Sequence, residues 1–202
     1  MASENWVHAE KLPERFLTWA DEAAALRREI HSNPELGFET PKTCALIERA
    51  LRSYGITAID AESVRGGLIV TIEGNRPGKT VALRADIDAL SMPDESGTPW
   101  ASTICRNHAC GHDGHAAWLM LALRDLAADR NFPGRIVAIF QPAEEIGRGA
   151  LAVVESGLFE KEAIAEIYGA HNDSLLPAGE FSFRAGPLQA SCDFFYIRLV
   201  GR

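Results

Sequence analysis

Eight consecutive residues, His108-Ala109-Cys110-Gly111-His112-Asp113-Gly114-His115, hold three of the six histidines and one of the four cysteines, together with an aspartate. Imidazole, thiolate and carboxylate are the side chains that bind borderline divalent cations such as zinc, manganese or cobalt. The intervening glycines let the backbone turn tightly enough to aim several of them at one point. A polar loop capping the apolar run 116–126 would need only one of these groups. A Cys-x-His-x-x-His cluster favours a metal site instead.

Further ligand types recur after apolar runs: Asp86 and Asp88 after Val81-Ala82-Leu83, Glu144 and Glu145 after the run 135–140, and His171 after the run 164–170. Taken singly, each has an ordinary role. Asp86 and Asp88 suit loop acids accepting backbone N–H bonds, Glu144-Glu145 suits a helix N-terminus, and His171 suits a hydrogen-bonded strand end. Taken together they lie on loops that converge at one edge of a sheet. Cys110, His112, Glu145 and His171 then supply a thiolate, two imidazoles and a carboxylate, enough for one closed ion or two partly open ones. Glu144 is left over. In metal-assisted hydrolysis a spare carboxylate takes a proton from the polarised water and passes it to the leaving nitrogen.

The elements that must position these groups alternate between helices and strands. Residues 12–30 carry apolar side chains at helical spacing, and Thr40-Pro41 as N-cap and N1, with Tyr54-Gly55 as the stop, predict a helix over 41–54. Residues 56–59, 67–73 and 80–85 read as strands, with a hairpin-type loop at 74–78 between the last two. A long loop over 89–107 precedes the metal motif, and a helix to about residue 130 follows it. A strand over 135–140, a helix over 149–155 capped by Gly157, and strands over 164–170, 180–184 and 192–200 complete the chain.

The chain has 202 residues, 47% of them hydrophobic and 24% charged, which suits one substantial globular α/β domain or one domain plus part of another. A net charge of -8 with interspersed signs argues against nucleic acid and for a small-molecule substrate. No signal segment or membrane-length apolar run is read, so a cytoplasmic location is expected. There Cys44, Cys105, Cys110 and Cys192 stay reduced, which leaves Cys110 free to ligate. Cys44, Cys105, Cys192, His8 and His31 read as structural or surface residues.

Four ordered motifs carry a resemblance: Leu83-Arg84-Ala85-Asp86-Ile87-Asp88-Ala89-Leu90, the cluster at His108 to His115, Phe140-Gln141-Pro142-Ala143-Glu144-Glu145, and Gly169-Ala170-His171. His31-Ser32-Asn33-Pro34-Glu35-Leu36-Gly37-Phe38 joins them. The chain resembles the metal-dependent amidohydrolases and metallopeptidases that include hippurate hydrolase, N-acyl-amino-acid aminoacylases and indoleacetyl-amino-acid hydrolases. The resemblance implies a three-layer α/β/α catalytic domain with a mixed sheet over residues 1–190, and the first strand of an α+β lid over 191–202. It implies two divalent ions (zinc, manganese or cobalt) held by Cys110, His112, Glu145 and His171. Glu144 would be the general base and acid, and Asp88 would orient a metal-binding histidine. N-acyl amino acids or related amides would be the substrates, and a homodimer would form through the lid.

Ser91 stands where such proteins usually have proline, and Asn172-Asp173 where an aromatic residue and proline are common. The family pattern also continues past Gly201-Arg202 into the rest of the lid, a lid histidine that steadies the tetrahedral intermediate, and a last metal-ligand histidine. The second expectation is therefore a fragment, impaired in catalysis, that only binds metal or a partner chain.

Overall fold

Apolar side chains alternate between the two faces of the central strands, so the sheet needs a cover on each side. In β2 (Leu68–Glu73), Leu68, Val70 and Ile72 face one way and Ile69 the other. In β4 (Pro133–Gln141) the same division separates Ala138 and Phe140 from Val137 and Ile139. The first face packs on α2 (Ala20–His31), α3 (Pro41–Ser53) and α4 (His112–Ala128) through Ile30, Leu46, Ile47, Leu51, Met120 and Leu123. The second packs on α5 (Gly149–Glu155) and α6 (Leu158–Lys161) through Val153 and Leu158. The result is the expected three-layer α/β/α arrangement.

This computed structural model describes residues 13–183, 185–188 and 195–201. Residues Arg15–Asn172 form one compact unit, and the described residues outside it belong to a second. In the larger unit β1 (Ile59–Asp60), β2, β4, β3 (Arg76–Asp86) and β5 (Ile164–Gly169) lie in the order β1-β2-β4-β3-β5. β4 runs antiparallel to β2 and parallel to β3, while β5 runs parallel to β3, so the sheet is mixed.

That order corrects the hairpin expected at residues 74–78. β2 and β3 are joined by a tight turn, yet β4 lies between them along the whole ladder. The turn passes across the start of β4, with Gly74 N–H donating to the Gly134 carbonyl at 2.8 Å and Asn75 N–H to Arg130 at 3.0 Å. A Cβ on Gly134, at φ +79°, would sit 1.9 Å from the Lys79 carbonyl, so only glycine permits this crossing.

Local details also differ. The helix expected over 12–30 is broken at Trp19 into α1 (Glu14–Thr18) and α2, with Trp19 N–H bonding back to Phe16 at 3.2 Å; Leu12 lies outside the described residues. Thr40 occupies the N-cap position of α3 as expected, but its hydroxyl makes no capping bond and donates to the Gly66 carbonyl instead. Glu35 makes the capping bonds in its place. Its carboxylate accepts from Lys42 N–H at 3.2 Å, Thr43 N–H at 2.9 Å and the Thr43 hydroxyl at 3.0 Å. The strand expected at 56–59 shrinks to β1, since Ile56 N–H donates at 3.1 Å to the Leu51 carbonyl at the end of α3 rather than to a neighbouring strand.

The strands expected at 180–184 and 192–200 are absent from the described part of those ranges. Residues 180–183 and 195–200 have no ladder partner among the described residues and are almost all exposed. An extended segment becomes a strand only when its backbone finds a neighbour. Residues 184 and 192–194 lie outside the described residues.

Candidate metal centre

Three strand ends and one helix start meet at this site. β3 ends at Asp86, two residues before Asp88, and β4 ends at Gln141, just before the turn carrying Glu144 and Glu145. β5 ends two residues before His171. α4 starts within the metal motif rather than after it. Gly111 at φ +91° turns the chain into the helix, and His112 and His115 then share one helical face, their rings 5.4 Å apart.

Asp88 is fully buried and ties two of these elements together. Its Oδ1 accepts the Glu144 N–H at 2.9 Å and its Oδ2 the Glu145 N–H at 3.2 Å, which holds the turn. Its carbonyl oxygen accepts from His112 Nδ1 at 2.8 Å, while the carboxylate stays 3.8 Å from that nitrogen. Asp88 thus touches a ring of the candidate ligand set through its backbone. The bond places the proton on Nδ1 and leaves the His112 Nε2 lone pair open.

The open atoms converge. His112 Nε2 lies 3.5 Å from Asp86 Oδ2, 3.7 Å from Glu144 Oε2 and 3.8 Å from Glu145 Oε1. Cys110 Sγ lies 3.5 Å from His171 Nε2. Ligands bonded at about 2.0–2.3 Å around one tetrahedral ion stand roughly 3.3–3.8 Å apart, so these separations suit a shared cation. Donor atoms of Cys110, His112 and Glu145 lie within 4.8 Å of one another, and so do those of Asp86, His112, His115 and His171. His112 belongs to both sets.

Two of the buried atoms, His112 Nε2 and Glu145 Oε1, have no hydrogen-bond partner, an arrangement whose cost a bound ion removes. Charge points the same way. Burial, then the Glu145, Glu144 and Asp86 carboxylates, push the Cys110 thiol up to about 11. Burial above all raises Glu145 above the ordinary carboxylate value, with Glu144, Asp88 and Asp86 adding to the rise and His112 opposing it. For His112 burial favours the neutral ring, yet Asp88 and Asp86 leave its affinity for a proton above the ordinary value. Four acids round one pocket favour any positive charge placed there, and the residues present fit divalent ions.

The sequence counted His115 in the metal motif without naming it a ligand, and assigned no role to Asn172. His115 donates from Nδ1 to Asp86 Oδ1 at 2.5 Å, and its Nε2 accepts the Asn172 N–H at 3.1 Å. The signal for His115 was present in its i, i+3 spacing from His112. His31 is buried between Asp113 Oδ2 at 2.8 Å and Asp94 Oδ2 at 3.1 Å, a structural role as expected. His108, although part of the motif, joins neither donor set. Burial pushes it down to about 4, and both its ring nitrogens are buried without partners.

A family model described as peptidase family M20/M25/M40 matches residues 82–196. The chain is 38% identical over 179 residues to the N-acetylcysteine deacetylase of Bacillus subtilis, covering 88% of this chain and 47% of that protein. It is 37% identical over 192 residues to the hippurate hydrolase of Campylobacter jejuni, covering 95% and 49%. Among solved structures it is similar to the Bacillus subtilis YXEP protein, a dinuclear metal binding peptidase from the M20 family. That match has a TM-score of 0.76 at 36% identity, covering 80% of this chain and 45% of the other. The chain spans about half the length of the curated relatives it matches.

Proposed function

Because the chain belongs to peptidase family M20/M25/M40, we propose that it carries the metal-binding catalytic half of an amidohydrolase that cleaves N-acyl amino acids or related amides. The observation that supports this reading most strongly is the meeting of Cys110, His112, Glu145 and His171, drawn from three separate segments, beside the free carboxylate of Glu144. In this reading those four residues hold two divalent ions, zinc, manganese or cobalt, the thiolate favouring zinc or cobalt. Such ions supply Lewis acidity, polarising the amide carbonyl and acidifying water.

The chain's own residues do the rest. Glu144 is exposed enough to reach substrate, with 42% of its side-chain surface accessible, whereas Glu145 at 17% stays with the ligand set. Glu144 accepts the proton of the attacking water on a carboxylate oxygen and delivers it to the departing nitrogen. Asp88 holds the Glu144-Glu145 turn through two backbone bonds, so the base and the ligand beside it move as one piece.

The same proposal assigns residues 191–202 to the start of a lid through which the protein dimerises, although the described residues 195–201 pair with no strand among the described residues. It places the protein in the cytoplasm, where Cys110 remains a free thiol. No helix among the described residues is long and apolar enough to cross a membrane.

The test is metal content together with hydrolysis of N-acetyl, N-benzoyl and N-indoleacetyl amino acids, with Glu144→Gln as control. The expected result is metal-dependent cleavage that falls by ~10^2- to 10^4-fold in Glu144→Gln with metal content kept. Metal binding with no cleavage above that control would instead support a fragment that only binds metal or a partner.

A further inference from the structure

Asn172 contacts both histidines on this rim of the site. Its backbone N–H donates to His115 Nε2 at 3.1 Å, and its side-chain Oδ1 lies 2.6 Å from the same nitrogen. Its carbonyl oxygen accepts from His171 Nδ1 at 2.7 Å. His115 is held in turn, since its Nδ1 donates to Asp86 Oδ1, and Arg84 Nη1 donates to Asp86 Oδ2 at 2.7 Å. Asp86 and His115 are buried, whereas His171 and Asn172 are exposed. The chain of contacts therefore runs from a buried interior to an exposed rim. Gly111 makes room for it: a Cβ there would lie 2.2 Å from Asn172 Oδ1.

Resting on the metal-site reading above, we propose that Asp86, His115 and Asn172 form a positioning relay for His171. The relay anchors the peptide after His171 to the buried floor of α4. Through the Asn172 carbonyl it keeps the His171 proton on Nδ1, so Nε2, 3.5 Å from Cys110 Sγ, presents its lone pair to the metal. Without this anchor an exposed imidazole at a strand end samples both tautomers and several rotamers.

The test uses the full chain and Asn172→Pro, an exposed substitution that removes the backbone N–H bonded to His115, with metal-free melting temperatures as the folding check. Long-range proton–nitrogen spectra of the metal-free protein report the tautomer of each ring. The wild type is expected to show His171 protonated on Nδ1, and Asn172→Pro a mixture of both tautomers. Titration with Co2+ alone should show an affinity about tenfold weaker in the variant, the lower end of what loss of a partner behind a metal ligand costs. An unchanged tautomer in Asn172→Pro overturns the relay, whatever happens to affinity. A wild type that binds no Co2+ overturns the metal reading, while the metal-free spectra still decide the relay.

Discussion

At the scale of single residues, the site combines groups that cannot all be charged in the absence of a cation. The thiols show this most plainly. Burial raises Cys44 to about 11, and burial with nearby acids does the same for Cys110, whereas Cys105 is exposed. A thiol reacts as its thiolate, and a raised pKa means that the reactive fraction is small below pH 11 and grows about tenfold per pH unit toward it. With iodoacetamide and site-resolved mass spectrometry at pH 8, Cys105 is expected to be alkylated well before Cys44 and Cys110. Raising the pH to 9 should speed the two slow sites about tenfold. Bound metal should protect Cys110 further and leave Cys44 unchanged. The sequence made Cys110, His112, Glu145 and His171 legible because their types are rare in such company. It hid the roles of Asp86, His115 and Asn172, because those depend on which side chain faces which across the fold.

At the scale of elements, composition located segments better than it located their partners. Pro41 and Gly55 bound α3 to within a residue, since each acts on its own backbone. Thr40 stands at the N-cap of the same helix as expected, yet its hydroxyl is drawn away by Gly66 and a carboxylate from the preceding loop makes the capping bonds. Glu35→Ala should therefore destabilise the protein by about 2 kcal/mol, since it removes three hydrogen bonds to a buried charged acceptor. Thr40→Val should lose only the bond to Gly66. Urea unfolding of the metal-free forms measures both, and an equal or larger loss in Thr40→Val would return the cap to Thr40. The hairpin at residues 74–78 was misread for a similar reason. Its turn residues are genuine, but the partner of each flanking strand is β4, more than fifty residues farther along the chain.

At the scale of the whole molecule, the mixed sheet brings one end of β3, β4 and β5 and the start of α4 together, and a cation bound there would tie them to one another. Metal should act as a staple. At a free concentration about a hundredfold above its dissociation constant, a divalent ion should add about 2.7 kcal/mol of stability, raising the melting temperature, and a chelator should reverse the rise. At the far edge of the sheet β5 pairs, among the described residues, only with β3 and exposes Ile167 and Tyr168, an edge no motif announced because burial belongs to the assembled fold. The central claim is that Cys110 and the histidines share an ion. Its most direct measurement is the near-ultraviolet absorption of the Co2+-loaded chain. The account predicts a sulfur-to-cobalt charge-transfer band that appears in the wild type and vanishes in Cys110→Ser, while cobalt is still bound more weakly. A Co2+-loaded wild type with no such band, or a band that survives Cys110→Ser, would contradict it.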